Sequence, residues 1–157
     1  MSQENVEIVR QLQPGPEVNL VELFARGEDD AEVEAVIAAA APAFTDDFVC
    51  VFHSLSDESS PGVRGLRECW LDWLAPWEGY RTEIEELIDA GDRVLALVRD
   101  FGRLPGADKE VDFRGCTVWT VREGRIARAE FFTADRADAF KAAGLSDEAL
   151  LHRDEKQ

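Results

Sequence analysis

The second half of the chain constrains its fold most. From Gly79 onward four strand-like runs follow one another: Tyr80 to Ile88, Arg93 to Arg103, Glu110 to Arg122 and Arg125 to Thr133. The breaks between them are Ala90-Gly91-Asp92, Leu104-Pro105-Gly106-Ala107-Asp108 and Glu123-Gly124. Gly, Pro and Asp are turn formers because they reach or tolerate the backbone angles a reversal needs. Connections this short join antiparallel neighbours, since a parallel pair needs a crossover of about a dozen residues or more. The reading is therefore a four-stranded antiparallel meander. A two-residue turn at Glu123-Gly124 sets Arg122 opposite Arg125, Val118 opposite Ala129 and Cys116 opposite Phe131. Strand alternation then puts Arg114, Cys116, Val118 and Thr120 beside Ala129, Phe131 and Thr133 on one face. Phe113, Thr117, Trp119 and Val121 share the other face with Arg128, Glu130 and Phe132, with Trp119 stacking on Arg128. Both faces are largely apolar and both need cover. Helices cover one, and a second copy of the chain is the economical cover for the other.

The first half supplies the helices. Val6, Val9 and Leu12 have helical spacing within Glu4 to Leu12, and Pro14-Gly15-Pro16 ends that run. Asn19 caps a second helix with stripe Leu20, Leu23 and Phe24, which Gly27 stops. Asp30 caps a third, with face Val33, Val36, Ile37 and Ala40, closed by Pro42. Phe48 to Phe52 reads as a buried strand, and Ser54 to Gly62 as a loop. Helical spacing returns from Arg64 to Trp77, with Leu66, Trp70, Trp73 and Trp77 on one face. A last short helix is capped by Asp135 and stopped by Gly144. The fold class is α+β in one domain, residues 1–157, with a helical extension over 1–18 and a charged tail over 146–157.

Charge narrows the partners. Asp and Glu number 33 against 17 Lys and Arg, a formal net charge of −16 in 157 residues. Phosphate backbones and anionic membrane surfaces are disfavoured partners for such a chain. No apolar run approaches the ~20 residues a spanning helix needs, and the start has no signal-like segment. Cys50, Cys69 and Cys116 are widely spaced in apolar contexts, as free thiols in a reducing cytoplasm are. With His53 and His152 the only histidines and no CxxC or HxxxH spacing, no metal site and no cofactor is expected.

The ordered set of motifs resembles the NTF2-like superfamily, and within it the SnoaL-like group related to ketosteroid isomerase. The matching pieces are Leu20-Val21-Glu22-Leu23-Phe24-Ala25-Arg26-Gly27, Asp46-Asp47-Phe48, and the turn Gly62-Val63-Arg64-Gly65-Leu66-Arg67-Glu68. Further on come Ala90-Gly91-Asp92-Arg93-Val94, Val118-Trp119-Thr120-Val121-Arg122-Glu123-Gly124-Arg125-Ile126, and the helix Arg136 to Leu145. Together they span about residues 19 to 145. The resemblance implies a curved antiparallel sheet wrapped around N-terminal helices as a cone, an apolar pocket, and a homodimer through the outer sheet face.

It does not imply one activity, because this fold hosts isomerases, cyclases, hydrolases and silent binding modules. The three catalytic positions of ketosteroid isomerases fall on Leu20, Phe52 and Cys116, none of which can abstract a proton or stabilise an enolate as that chemistry requires. Of the epoxide-hydrolase-like positions, Asp100 matches while Val98 and Phe131 do not. If the hairpin closes symmetrically about Ala107, Arg114 lies across from Asp100, as a catalytic pair or as a structural ion pair. His53 faces outward by alternation, and a one-residue slip would bring it inward as a base. Phe52, Trp70, Trp73, Val98, Cys116, Val118, Phe131 and Thr133 are the expected pocket lining. The tryptophans serve there as ligand wall or as plain core. The expected function is binding of a small, mostly apolar organic molecule in a cytoplasmic protein. The alternatives are an isomerase, polyketide-type cyclase or epoxide-hydrolase-like enzyme using Asp100, and a dimeric interaction module without ligand.

Overall fold

Turn chemistry builds the sheet. The computed structural model describes residues 2–25, 30–133 and 136–145. Its strands are β1 (Phe44–Phe52), β2 (Ser59–Pro61), β3 (Gly79–Ala90), β4 (Arg93–Arg103), β5 (Val111–Arg122) and β6 (Arg125–Phe132). Its helices are α1 (Ser2–Leu12), α2 (Leu20–Ala25), α3 (Asp30–Ala40), α4 (Gly62–Leu74) and α5 (Arg136–Ala142). The six strands form one sheet in the order β2-β1-β6-β5-β4-β3. β1 runs parallel to β6, and the other pairs are antiparallel. This is the α+β cone, helices packed into an unclosed curved sheet.

The turns are where the residues place them. Glu123 and Gly124 both have positive φ, 52° and 78°, the angles a two-residue hairpin turn requires. Gly91 at φ 81° reverses β3 into β4. The Asn19 side-chain oxygen accepts from the Val21 N–H at 3.1 Å and from the Tyr80 N–H at 3.2 Å, so the α2 cap also ties that helix to β3. Gly144, at φ 77°, ends the α5 segment. The expected Gly27 stop, the Asp135 cap and the tail 146–157 lie outside the described residues, as does the Asp30 side chain.

Several boundaries differ from expectation. α4 stops at Leu74, because Pro76 ends the helix ahead of Trp77. β1 begins at Phe44, and part of the expected loop after it forms β2 against β1. α3 is less covered than its apolar sequence suggests, with Val36 54% exposed.

Two bulges decide which side chains face inward. Between β5 and β6 the pairing shifts after Val121–Ile126, leaving Ala127 as the extra residue. Arg122 does oppose Arg125, but beyond the bulge Trp119 opposes Ala129, Thr117 opposes Phe131 and Cys116 opposes Phe132. Trp119, Val121, Ala129 and Phe131 therefore join the inner core with Phe48, Cys50, Phe52 and Val98. Cys116, Val118 and Phe132 form an outer cluster with Leu95 and Leu97. α5 and the turn after it cover that cluster with Ala139, Phe140 and Ala143, so this chain provides cover the sequence reading assigned to a second copy. Trp119 is on the inner face, away from the proposed stack on Arg128.

The second bulge lies between Ile84 and Glu86 on β3, with Glu85 as the extra residue. Glu85 forms an ion pair with Arg136, a buried arginine at the start of α5. Arg136 also donates to the Gly115 carbonyl at 3.1 Å and the Val98 carbonyl at 3.0 Å, pinning α5 to the sheet.

Candidate functional site

The site is built on β3 and β4, where alternation sets three polar side chains on the inner face. Thr82 and Asp100 are direct cross-strand partners, and Tyr80 opposes Gly102 two pairs along, on the same face. The Thr82 hydroxyl donates to Asp100 Oδ1 at 2.6 Å. The Tyr80 hydroxyl donates to Asp100 Oδ2 at 2.7 Å. Asp100 is only 3% exposed. Burial pushes its carboxyl above the usual carboxylate range, and the Thr82 and Tyr80 hydrogen bonds pull it part of the way back. Burial and the neighbouring Asp100 together push the Tyr80 phenol far up, so Tyr80 stays a donor. Each carboxyl oxygen accepts one protein hydrogen bond and keeps one lone-pair direction free.

That free capacity lies beside a cavity of about 380 Å³. α1 and the turn after it contribute Gln11, Leu12, Gln13 and Pro14; α2 contributes Leu20, Leu23 and Phe24. Leu66 and Trp70 come from α4, and the sheet supplies Phe44, Thr82, Val98, Asp100, Thr117, Trp119 and Phe131 to Thr133. The aromatic rings are held against one another. Trp70 meets Phe131 at 82° and 5.3 Å, Trp119 meets Phe131 at 80° and 5.8 Å, and Phe24 stacks on Trp70. The lining is mostly apolar with few polar groups, the composition of a small-molecule pocket.

Of the residues expected to line the pocket, Trp70, Val98, Phe131 and Thr133 do so. Phe52 and Trp73 stand behind them, their rings 5.4 Å apart, with Phe52 stacked on Phe131. Cys116 and Val118 do not line it, because the Ala127 bulge turns them to the outer cluster. Burial there pushes the Cys116 thiol up to about 12. The expected Asp100–Arg114 pairing does not form. The β4–β5 hairpin closes one residue away from symmetry, so Asp100 opposes Phe113 while Arg114 opposes Arg99 and is exposed on the outer face. That face carries an Arg99–Asp112 ion pair and Arg81 bound to Glu110 and stacked over Phe101.

His53 faces outward, as alternation requires. Its Nδ1 contacts Asp57 at 2.8 Å and its Nε2 contacts Glu130 at 3.2 Å, with the ring stacked on Phe132. The slip that would bring it inward as a base has not happened. Sequence reasoning missed Thr82, Thr117 and the Tyr80 contact to Asp100. The signal was the i, i+2 spacing of Tyr80 and Thr82 on a strand paired with Asp100. Among the described residues no group of three His, Cys, Asp or Glu is placed to hold a metal ion, and no helix is long and apolar enough to cross a membrane.

Comparison with known proteins agrees with this architecture. A sequence model of the SnoaL-like domain matches residues 20–129. No curated protein matches the chain in sequence. Among solved structures, a putative SnoaL-like polyketide cyclase from Jannaschia sp. CCS1 is 20% identical, with TM-score 0.57, covering 90% of this chain and 92% of that one. An NTF2-like protein of unknown function from Mesorhizobium loti is 21% identical, with TM-score 0.54, covering 85% and 93%. A protein with a ketosteroid isomerase-like fold from Catenulispora acidiphila, solved in complex with trimethylamine, is 20% identical with TM-score 0.51, covering 73% and 92%. At these identities the likeness shows the fold alone.

Proposed function

The chain belongs to the SnoaL-like family of the NTF2-like superfamily, and on that premise we propose that its cavity binds a small, mostly apolar organic molecule. The observation that carries the reading is the cavity of about 380 Å³ whose aromatic walls converge on one buried carboxyl. Apolar burial supplies the affinity. Asp100, held by Thr82 and Tyr80, supplies orientation through its free lone pairs. Trp70 and Trp119 stand in the wall, so binding is read by tryptophan fluorescence.

The test uses 2-naphthol, an aromatic with a single hydroxyl donor. Saturable quenching and a raised melting temperature are expected, both removed by Leu66→Trp, which enlarges a partly buried side chain of the cavity wall. Leu66→Trp binding the probe as the parent does, or no saturable binding by the parent, would overturn the reading.

A second reading is acid–base catalysis by Asp100, favoured by a buried carboxyl in an apolar site that burial raises above the usual carboxylate range. Its test is exchange of the α-protons of 2-cyclohexenone in D2O. Catalysed exchange lost in Asp100→Asn supports it, and equal exchange in the two proteins rejects it.

A further inference from the structure

We propose that the ligand of this cavity carries a cationic nitrogen: an alkylated amine, protonated in solution, bound with its N–H on Asp100 and its carbon substituents against the aromatic walls. The inference rests on the binding reading above and narrows its ligand class.

Three observations carry it. The first is the sign of the site. Asp100 is the one side chain of Asp, Glu, Lys, Arg or His among the described residues lining the cavity. An anionic ligand would meet no countercharge there, and would face a carboxyl that must then stay protonated. A cation meets its complement. The second is the wall. Trp70, Trp119 and Phe131 line the cavity, with Phe131 nearly perpendicular to both tryptophans. Ring faces carry negative partial charge and attract cations, tryptophan most strongly. The third is the chain's net charge of −16, which raises the local concentration of cations and lowers that of anions at any opening.

Hydration selects within the class. Moving an ammonium from water into an apolar cavity is costly, and most costly for a primary ammonium with three N–H donors to satisfy. Both Asp100 oxygens already accept a protein hydrogen bond, from Thr82 and from Tyr80. One further donor is readily accommodated. A tertiary amine brings one N–H and covers the rest of its charge with methyl or methylene groups that suit the rings.

The test compares two probes of the same shape, benzyldimethylamine and its carbon isostere isobutylbenzene, by tryptophan quenching at a pH where the amine is protonated. Water expels the hydrocarbon more strongly, so a preference for the amine can come only from the cavity. The expected result is that the amine binds about tenfold tighter or more, and that Asp100→Asn brings the two within about threefold by weakening the amine. Isobutylbenzene binding as tightly as the amine overturns the cationic class and leaves apolar binding standing. Neither probe binding overturns the cavity reading and this proposal with it. A preference that survives in Asp100→Asn overturns the role given to the carboxylate. The parent comparison decides the class even if the variant fails to fold.

Discussion

Replacing Asp100 with Asn tests the electrostatics of the site through stability alone. In the folded chain, burial raises the carboxyl above its reference value of 3.8, against the opposing hydrogen bonds of Thr82 and Tyr80. A carboxyl raised on folding binds more protons in the native state than in the unfolded one. Its favourable contribution is fully present below the unfolded value and is lost as pH rises through the folded one. Each unit of elevation corresponds to about 1.4 kcal/mol. Asn has nearly the same shape and stays neutral, so it escapes that loss. It forgoes the extra strength of hydrogen bonds to a charge, roughly 1.5–3 kcal/mol against about 1 for neutral partners. This loss too applies only where the parent is ionised, and it is already counted in the net upward shift. Urea melts of both proteins in steps from about pH 4 to about pH 8.5 give the difference, in which the other carboxylates cancel. The variant should gain on the parent by about 1.4 kcal/mol for each unit of elevation, and the gain should level off above the folded value. A parent that gains on the variant as pH rises would show a carboxylate stabilised in its charged form, and the burial argument would fail.

The other predictions concern the scaffold. Gly115→Ala should destabilise by about 1–3 kcal/mol in urea melts, because a Cβ there would sit inside van der Waals contact of the Phe132 carbonyl oxygen; an unchanged midpoint contradicts the β5–β6 register. Arg136→Leu should cost about 1–3 kcal/mol, since it strips the Val98 and Gly115 carbonyls of their donor. Amide exchange in α5 should rise in the same variant, and α5 protection equal to the parent's would refute the anchoring role. Burial pushes Cys50 and Cys116 up to about 12, whereas Cys69 is partly exposed, so iodoacetamide at about pH 8 should label Cys69 alone in the folded protein. Mass spectrometry finding Cys50 or Cys116 labelled at a similar rate would contradict that burial.

The element order was legible because turns and caps leave compositional marks. Gly91, Gly124 and Gly144 stand where positive φ is required, and Asn19 stands where a helix begins. The bulges left no such mark. The extra residues are Ala127 and Glu85, unremarkable in a strand, yet the first exchanges the faces of every β5 pair beyond it. That exchange moved Cys116 and Val118 out of the pocket and Thr117 and Trp119 into it. Asp100 was found through the family resemblance, as a matching position of the epoxide-hydrolase-like pattern, whereas Arg114 was misplaced by a single residue of hairpin asymmetry. Arg136 reads in sequence as an ordinary first-turn residue. Its partners are Val98, Gly115 and Glu85, on three strands, and only the folded sheet brings them to it.

The central claim is that the cavity over Asp100 is the ligand site. A crystal of the protein soaked in 2-naphthol tests it most directly. The account predicts a ring between Trp70, Trp119 and Phe131 with its hydroxyl within hydrogen-bond distance of Asp100. A cavity filled by its own side chains, or the probe seated only on the outer face near His53 and Lys141, would contradict it.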